Sequence, residues 1–216
     1  MEKTLLINAH PDYTNHDHHS IQLLDYFLEQ LQNKFPHAET TTLNLYGEDI
    51  PQITESTYAT YRKKIDGTPL STVETDQFER SAFLLRQFKH HHRIVIAAPL
   101  LNFNISARLK DYIDNIMVAR SVFRYTASGS EGLMTDNYRV LYLQSSGSIY
   151  TNNDRYAPLE FSNFYLKALF ENIMGFDHYF IARSQGTDLQ DANQAAIIKR
   201  ASQEINTILP QLYQNN

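Results

Sequence analysis

The sequence predicts an α/β protein: a doubly wound parallel sheet of five strands with helices on both faces. Three observations predict it. Short runs that are apolar or β-branched recur along the chain, stretches with apolar residues at helical spacing alternate with them, and no internal repeat, linker or low-complexity stretch divides the 216 residues. Strands that alternate with helices read as a parallel sheet covered on both sides. A chain of this length buries a substantial core, and residues 1–216 are read as a single domain.

Lys3 to Asn8 is the first strand, and it runs into a polar loop, Ala9 to His19. Ile21, Leu23, Leu24, Phe27, Leu28 and Leu31 then recur at helical spacing until Pro36 stops the pattern. Thr40 to Leu45 is strand two. Residues 47 to 72 show no firm periodicity and carry Pro51, Gly67 and Pro69, so a surface excursion is expected. Phe78, Ala82, Leu85 and Phe88 mark a helix that ends near His90-His91-His92, a run expected to cap its surface end. Arg93 to Ala98 is strand three, and Ile105, Leu109, Ile113, Ile116 and Met117 define the next helix. Residues Val122 to Leu133 read as a protruding loop or hairpin, and Tyr138 to Gln144 as strand four. A helix follows, with Pro158 tolerated near its first turn and Gly175 as its C-terminal cap. His178 to Ala182 is strand five. The last helix is expected to open at Thr187, with Gln190 three residues on as a capping box, and to face Ile197, Ala201, Ile205, Ile208 and Leu212 inward. Five such strands fit the flavodoxin-like order 2-1-3-4-5.

Composition narrows the function. The 19 Lys and Arg are scattered and outnumbered by 24 Asp and Glu, which argues against nucleic acid. No apolar run approaches the roughly 18 residues of a spanning helix, and the chain enters a strand without a signal-peptide layout, so a cytoplasmic protein with no membrane insertion is expected. Absence of Cys excludes disulfides, thiol catalysis and thiolate metal sites.

In a 2-1-3-4-5 sheet the switch point lies between strands one and three, with strand four beside three. The loops after these strands line one crevice. All three are polar: Ala9 to Ser20, Pro99 to Asn104, and Ser145 to Tyr150. Pro99 stiffens its turn, and Asn102 and Asn104 are expected to cap the helix and offer amide groups to a planar heterocycle. The first loop precedes a helix, where unpaired N–H groups favour an anion. Thr14, Asn15, His18 and Ser20 complete a phosphate cradle. The rival readings are a metal site at His16, Asp17, His18 and His19, or a loop that is merely polar and solvated. Ser145-Ser146-Gly147-Ser148 lacks the G-x-S-x-G elbow of a nucleophilic serine and reads as a turn that donates N–H and hydroxyl groups to a ring edge.

Ala98-Pro99-x-x-Asn102-Phe103-Asn104-Ile105-Ser106, with Leu109-Lys110 and Tyr112-Ile113-Asp114, resembles the FMN-dependent NADH-azoreductase family of flavodoxin-like quinone reductases. So do Phe123-Arg124-Tyr125-Thr126 with Gly129, Glu131-Gly132-Leu133, and a Ser-x-Gly-Gly element in which Ser148 takes the last glycine's place. The resemblance implies an oxidoreductase that binds one FMN per subunit. His10, His18 and Ser20 would hold the phosphate; Pro99, Leu100, Leu101, Asn102 and Phe103 would pass along the isoalloxazine, with backbone N–H groups near N5 and O4; Ser145, Gly147 and Ser148 would meet the pyrimidine edge. It implies a homodimer in which Phe123 and Tyr125 close the partner's pocket, beside Tyr150 as candidate proton donor. No metal and no obligate catalytic side chain is implied. The electron donor would be NADH or NADPH, and the acceptors quinones, azo compounds or nitroaromatics, reduced by two electrons in a ping-pong cycle. The chain departs from the family in three places: Ala9-His10-Pro11 is closer to the mammalian-type quinone reductases and opens a longer loop, Leu101 replaces an aromatic, and Tyr150 stands where His is frequent. Two other classes fit the same fold, an ancillary quinone-reductase-like subunit of a transporter and a flavodoxin-like electron carrier.

Overall fold

The computed structural model describes residues 2–214. Its main sheet joins β1 (Thr4–Asn8), β2 (Thr40–Asn44), β3 (Arg93–Pro99), β6 (Arg139–Ser146) and β7 (His178–Gln185) in the order β2-β1-β3-β6-β7. Every pairing is parallel. This is the predicted order under a new numbering, because the short antiparallel hairpin β4 (Phe123–Thr126) and β5 (Gly129–Gly132) intervenes. The central strands β1, β3 and β6 are buried along their whole length or nearly so, as strands covered on both faces must be.

Alternation along those strands splits the core in two. Leu6, Val95, Leu141 and Leu143 face α1 (His19–Lys34) and α6 (Gln194–Leu212). Leu5, Ile7, Ile94, Ile96, Val140 and Tyr142 face α3 (Thr72–His90), α4 (Ala107–Ile116) and α5 (Phe161–Lys167). Burying each such aliphatic side chain contributes about 1.5–3 kcal/mol, which holds the sheet edges in place for the loops they carry.

The structure corrects three readings and sets where α3 begins. The excursion at 47–72 contains a helix, α2 (Glu55–Ile65), whose N-cap Thr54 exchanges hydrogen bonds with Thr57. Helix α3 starts at Thr72 behind the capping box of Ser71 and Glu74. Helix α6 opens at Gln194 on Asn193, not at Thr187, which leaves Thr187 in a loop. Finally, His91 is not a surface cap: it is buried, with Nδ1 against the Gln87 carbonyl at 2.6 Å and Nε2 against Thr41 Oγ1 at 3.1 Å. Gly175 ends its helix in the left-handed region as expected, with φ +86°, after a π-helical stretch Ala168–Met174.

Candidate functional site

The first loop leaves β1 at Asn8, whose side-chain oxygen accepts the His10 N–H at 3.1 Å. His10 and His18 stack with ring centroids 3.9 Å apart. The Asp12 N–H donates to His10 Nδ1, so the neutral His10 ring carries its proton on Nε2. Burial, and then the neighbouring His18, push the His10 pKa down. His18 Nε2 lies 2.9 Å from Asp12, and His16 Nδ1 lies 2.6 Å from Asp25. Helix α1 then begins without a side-chain cap and without an acidic residue in its first turn. Its N-terminal N–H groups therefore face outward with a partial positive charge. In that first turn Ser20 is wholly buried, and its hydroxyl has no hydrogen-bond partner among the described residues. An orphaned buried hydroxyl beside an uncapped helix start is what an anionic group would complete.

The second loop closes on itself. Leu101 and Asn104 exchange backbone hydrogen bonds at 2.9 and 3.0 Å around Asn102 and Phe103, whose φ values are +48° and +68°. Two positive φ angles define a type I′ turn. The expectation that Asn102 and Asn104 cap α4 fails: Ser106 is the cap, accepting from the Leu109 N–H, and Asn104 Oδ1 accepts from the Ile105 N–H. The Leu100 N–H is taken by the Ser145 carbonyl at 2.7 Å and the Leu101 N–H by Asn104, so neither remains for a ligand. Among the described residues, the N–H groups of Asn102 and Phe103 make no hydrogen bond, which makes them the available donors of this loop.

The third loop is the end of β6 and the turn beyond it, locked onto the segment after β7. The Ser146 carbonyl accepts the N–H groups of Gly186 and Thr187 at 2.9 and 3.2 Å, and the Gly147 carbonyl accepts the Asp188 N–H at 3.1 Å. Gly147 makes room for Asp188, whose side chain would have to turn away from a Cβ standing 2.4 Å from its Oδ2. Tyr150 follows, nearly buried, its ring edge-on to Phe103 at 6.4 Å between centroids. Burial raises its pKa, so the phenol keeps its proton at neutral pH.

These loops enclose one cavity of about 280 Å³ at the carboxyl edge of β1, β3 and β6. Of the predicted residues it is lined by His10, His18, Pro99, Leu100, Leu101, Ser145 and Gly147. Asn102, Phe103, Ser148 and Tyr150 belong to the same loops but do not line it, and neither do Phe123 and Tyr125. Tyr125 is 78% exposed on the hairpin, with Phe123 beneath it at 5.4 Å between ring centroids. Lining residues outside the predicted set are Asp17, His19, Ser146, Thr187 and Asp188. His19 reaches across to Ser184 of β7 with Nδ1 3.1 Å from its hydroxyl, and burial lowers its pKa. Thr187 and Asp188 were hidden by reading this loop as the start of a helix; a Thr-Asp pair just past a strand's carboxyl end was the available signal.

A polar cavity where the strand order reverses, opened by an uncapped helix and closed by a glycine-dependent turn, defines a flavodoxin-like ligand-binding protein. The family model described as flavodoxin-like fold matches residues 2–209. An FMN-dependent NADH:quinone oxidoreductase of Lactiplantibacillus plantarum is 50% identical over 99% of this chain and 100% of its own length. One of Bacillus cereus is 43% identical over 95% of each. The crystal structure of an FMN-dependent NADH-azoreductase from Bacillus anthracis in complex with FMN superposes with a TM-score of 0.93, at 40% identity, over 99% of this chain and 100% of that one. The chain belongs to the flavodoxin-like family of FMN-dependent NADH:quinone oxidoreductases.

Proposed function

We propose that this protein is an FMN-dependent NADH:quinone oxidoreductase with azoreductase activity, acting as one domain per subunit in a cytoplasmic homodimer. One observation carries the reading: three loops from β1, β3 and β6 line a single cavity, and next in sequence to its lining residues stand the Ser20 hydroxyl and the Asn102 and Phe103 N–H groups, without partners among the described residues. The phosphate would rest at the start of α1, held by the N–H groups of His19 and Ser20, the Ser20 hydroxyl and the His10 and His18 rings. The Asn102 and Phe103 N–H groups would meet N5 and O4, and Ser145, Gly147 and Ser148 the pyrimidine edge. FMN bound there supplies two-electron chemistry, accepting hydride from NADH and delivering it to a quinone or an azo compound.

The protein's part is binding, orientation and electrostatics. Backbone and hydroxyl donors of the β6 turn offer hydrogen bonds where negative charge develops on the ring. Asp188 sets a carboxylate in the same cavity. Tyr150 holds its proton, so the phenol or solvent would supply protons to the reduced acceptor. Phe123 and Tyr125 stand away from the cavity of their own chain, and their role belongs to the pocket of the second subunit.

The test is a visible spectrum of the purified protein with FMN added, followed by NADH without oxygen and then a quinone. Bands that bleach with NADH and return with the quinone are expected; failure to bind flavin overturns the reading. Ser20→Asp places a carboxylate against the phosphate, and about a 100-fold loss of FMN affinity is expected in equilibrium titration. Stoichiometric flavin in that variant would remove the phosphate from α1.

A further inference from the structure

Residues 149–151 lie outside the sheet, in a stretch without regular structure, yet Tyr150 is almost wholly buried. Among the described residues, the hydrogen bonds of 149–151 all go to one side chain, Gln185. Gln185 is the last residue of β7. Its Oε1 accepts the Tyr150 N–H at 3.0 Å, and its Nε2 donates to Thr151 Oγ1 at 2.7 Å. Two residues earlier on the same face of β7, Arg183 forms a two-pronged pair with Glu160, with nitrogen to oxygen distances of 2.8 and 3.0 Å. One strand therefore fastens both ends of the excursion 150–160.

The clamp matters because of what Tyr150 touches. Its ring meets Phe103 edge-on at 6.4 Å and Tyr156 at 5.9 Å. Phe103 is the second left-handed residue of the type I′ turn and is 41% exposed, on the loop whose N–H groups are assigned to the ring of the cofactor. A line of contacts thus runs from β7 through Gln185 and Tyr150 to Phe103, from the third loop to the second. None of the three lines the cavity; the partly exposed Phe103 ring lies outside it, on the loop that Leu100 and Leu101 begin within it.

Resting on the function proposed above, we propose that Gln185 is a positioning residue for acceptor binding: it fixes Tyr150 against Phe103 and so shapes the wall on which the oxidising substrate lies. The amide suits the role because it offers an acceptor to an N–H and a donor to a hydroxyl. It acts through Tyr150 and leaves flavin binding to the first loop.

The experiment uses the FMN-loaded enzyme with NADH and 1,4-benzoquinone. In Gln185→Met both hydrogen bonds are lost at nearly constant volume. The KM for the quinone is expected to rise about tenfold, the scale of one or two lost hydrogen bonds, while kcat stays within about twofold. FMN affinity and the rate of bleaching by NADH stay at wild-type values. Gln185→Glu accepts from both the Tyr150 N–H and the Thr151 hydroxyl, and is expected to restore most of the KM. Tyr150→Ala raises the KM similarly, and adding Gln185→Met to it brings no further change. An unchanged KM in Gln185→Met, or effects of the two substitutions that multiply, overturns the proposal. If Gln185→Met does not fold, Thr151→Val removes one of the two bonds, with a KM rise of about threefold expected and an unchanged KM overturning the inference. Failure of the wild-type chain to bind flavin strikes the underlying function instead.

Discussion

The two ends of the same parallel sheet use polar residues in opposite ways. At the amino edge, His91, Arg93 and Arg139 are taken fully into the protein. Arg93 Nη1 donates to the carbonyls of His92 and Asn137, Arg139 Nη1 donates to the Gln211 carbonyl, and Thr4 pairs with Tyr213. At the carboxyl edge, histidines and serines surround an open cavity, and the Ser20 hydroxyl and the Asn102 and Phe103 N–H groups stay without partners among the described residues. Polar groups at the first edge close strand ends and helix ends, whereas those at the second are held ready. Arg93 Nε and Nη2 also lack partners among the described residues, so neither residue type nor an unused donor marks a site alone; the difference teaches that an unused donor counts where a loop carries it to an open cavity.

The comparison breaks if substitutions at the amino edge disturb flavin, or if those at the carboxyl edge act mainly on stability. The largest effect is expected for Arg93→Ala. It empties the largest fully buried side-chain volume and takes the guanidinium donor from the Asn137 carbonyl, while the His92 carbonyl keeps the Arg139 N–H, at a cost of about 3 kcal/mol in urea unfolding. Burial and the adjacent Arg139 charge lower the Arg93 pKa, so the charge is itself a burden there. Arg93→Met, which fills the volume without the charge, is therefore expected to cost less than the alanine. FMN affinity of either folded variant should match wild type within about threefold; a tenfold loss would show that the edges are not independent.

Next in size is Gly147→Ala. The new Cβ would stand 2.4 Å from Asp188 Oδ2 and 3.2 Å from its Cβ, so Asp188 or the turn must move inside the cavity. We expect FMN affinity to fall about tenfold, near 1.4 kcal/mol, with no more than about 1 kcal/mol lost from stability. The reverse ratio would place Gly147 with the structural group.

How much of this was legible in the sequence follows the same division. Strands β1, β3 and β6 announce themselves because both faces are buried and nearly every residue is apolar or small. Helix α2 did not, since of its residues only Thr57 and Thr60 are buried and its face carries no apolar stripe. The start of α6 was misread because Thr187 and Gln190 reproduce a capping pattern, while the chain there turns onto Ser146 and Gly147 and places the cap at Asn193. The three ligand loops were visible by polarity and position. Which of their donors stay unused was not, because that depends on hydrogen bonds between loops, such as Leu100 N–H to the Ser145 carbonyl. A phenylalanine at φ +68° also runs against residue preference and is imposed by the turn that Leu101 and Asn104 close.

The smallest expected effect is a pH dependence at the amino edge. His91 donates from Nδ1 to the Gln87 carbonyl, and its Nε2 lies 3.1 Å from the Thr41 hydroxyl, from which the neutral ring accepts. Burial lowers its pKa below the usual 6.5, helped by the charges of His90, Lys3 and His92. In the unfolded chain the ring takes up its proton near 6.5, and in the folded protein only at lower pH. The unfolded state therefore binds more protons between those two values, and stability falls as the solution is acidified through that window, with the full contribution present above it. His16 works in the opposite sense: its hydrogen bond to Asp25 raises its pKa, so its contribution is present below 6.5 and lost as pH rises through the raised value, but it is exposed and screened by salt. At moderate salt the urea midpoint of wild type is expected to drop from pH 7.5 to 5.5. Most of the His91 share of that drop should vanish in His91→Gln, whose amide serves both partners without titrating. Parallel pH profiles for the two proteins would show that the buried histidine is not what the amino edge asks to stay neutral.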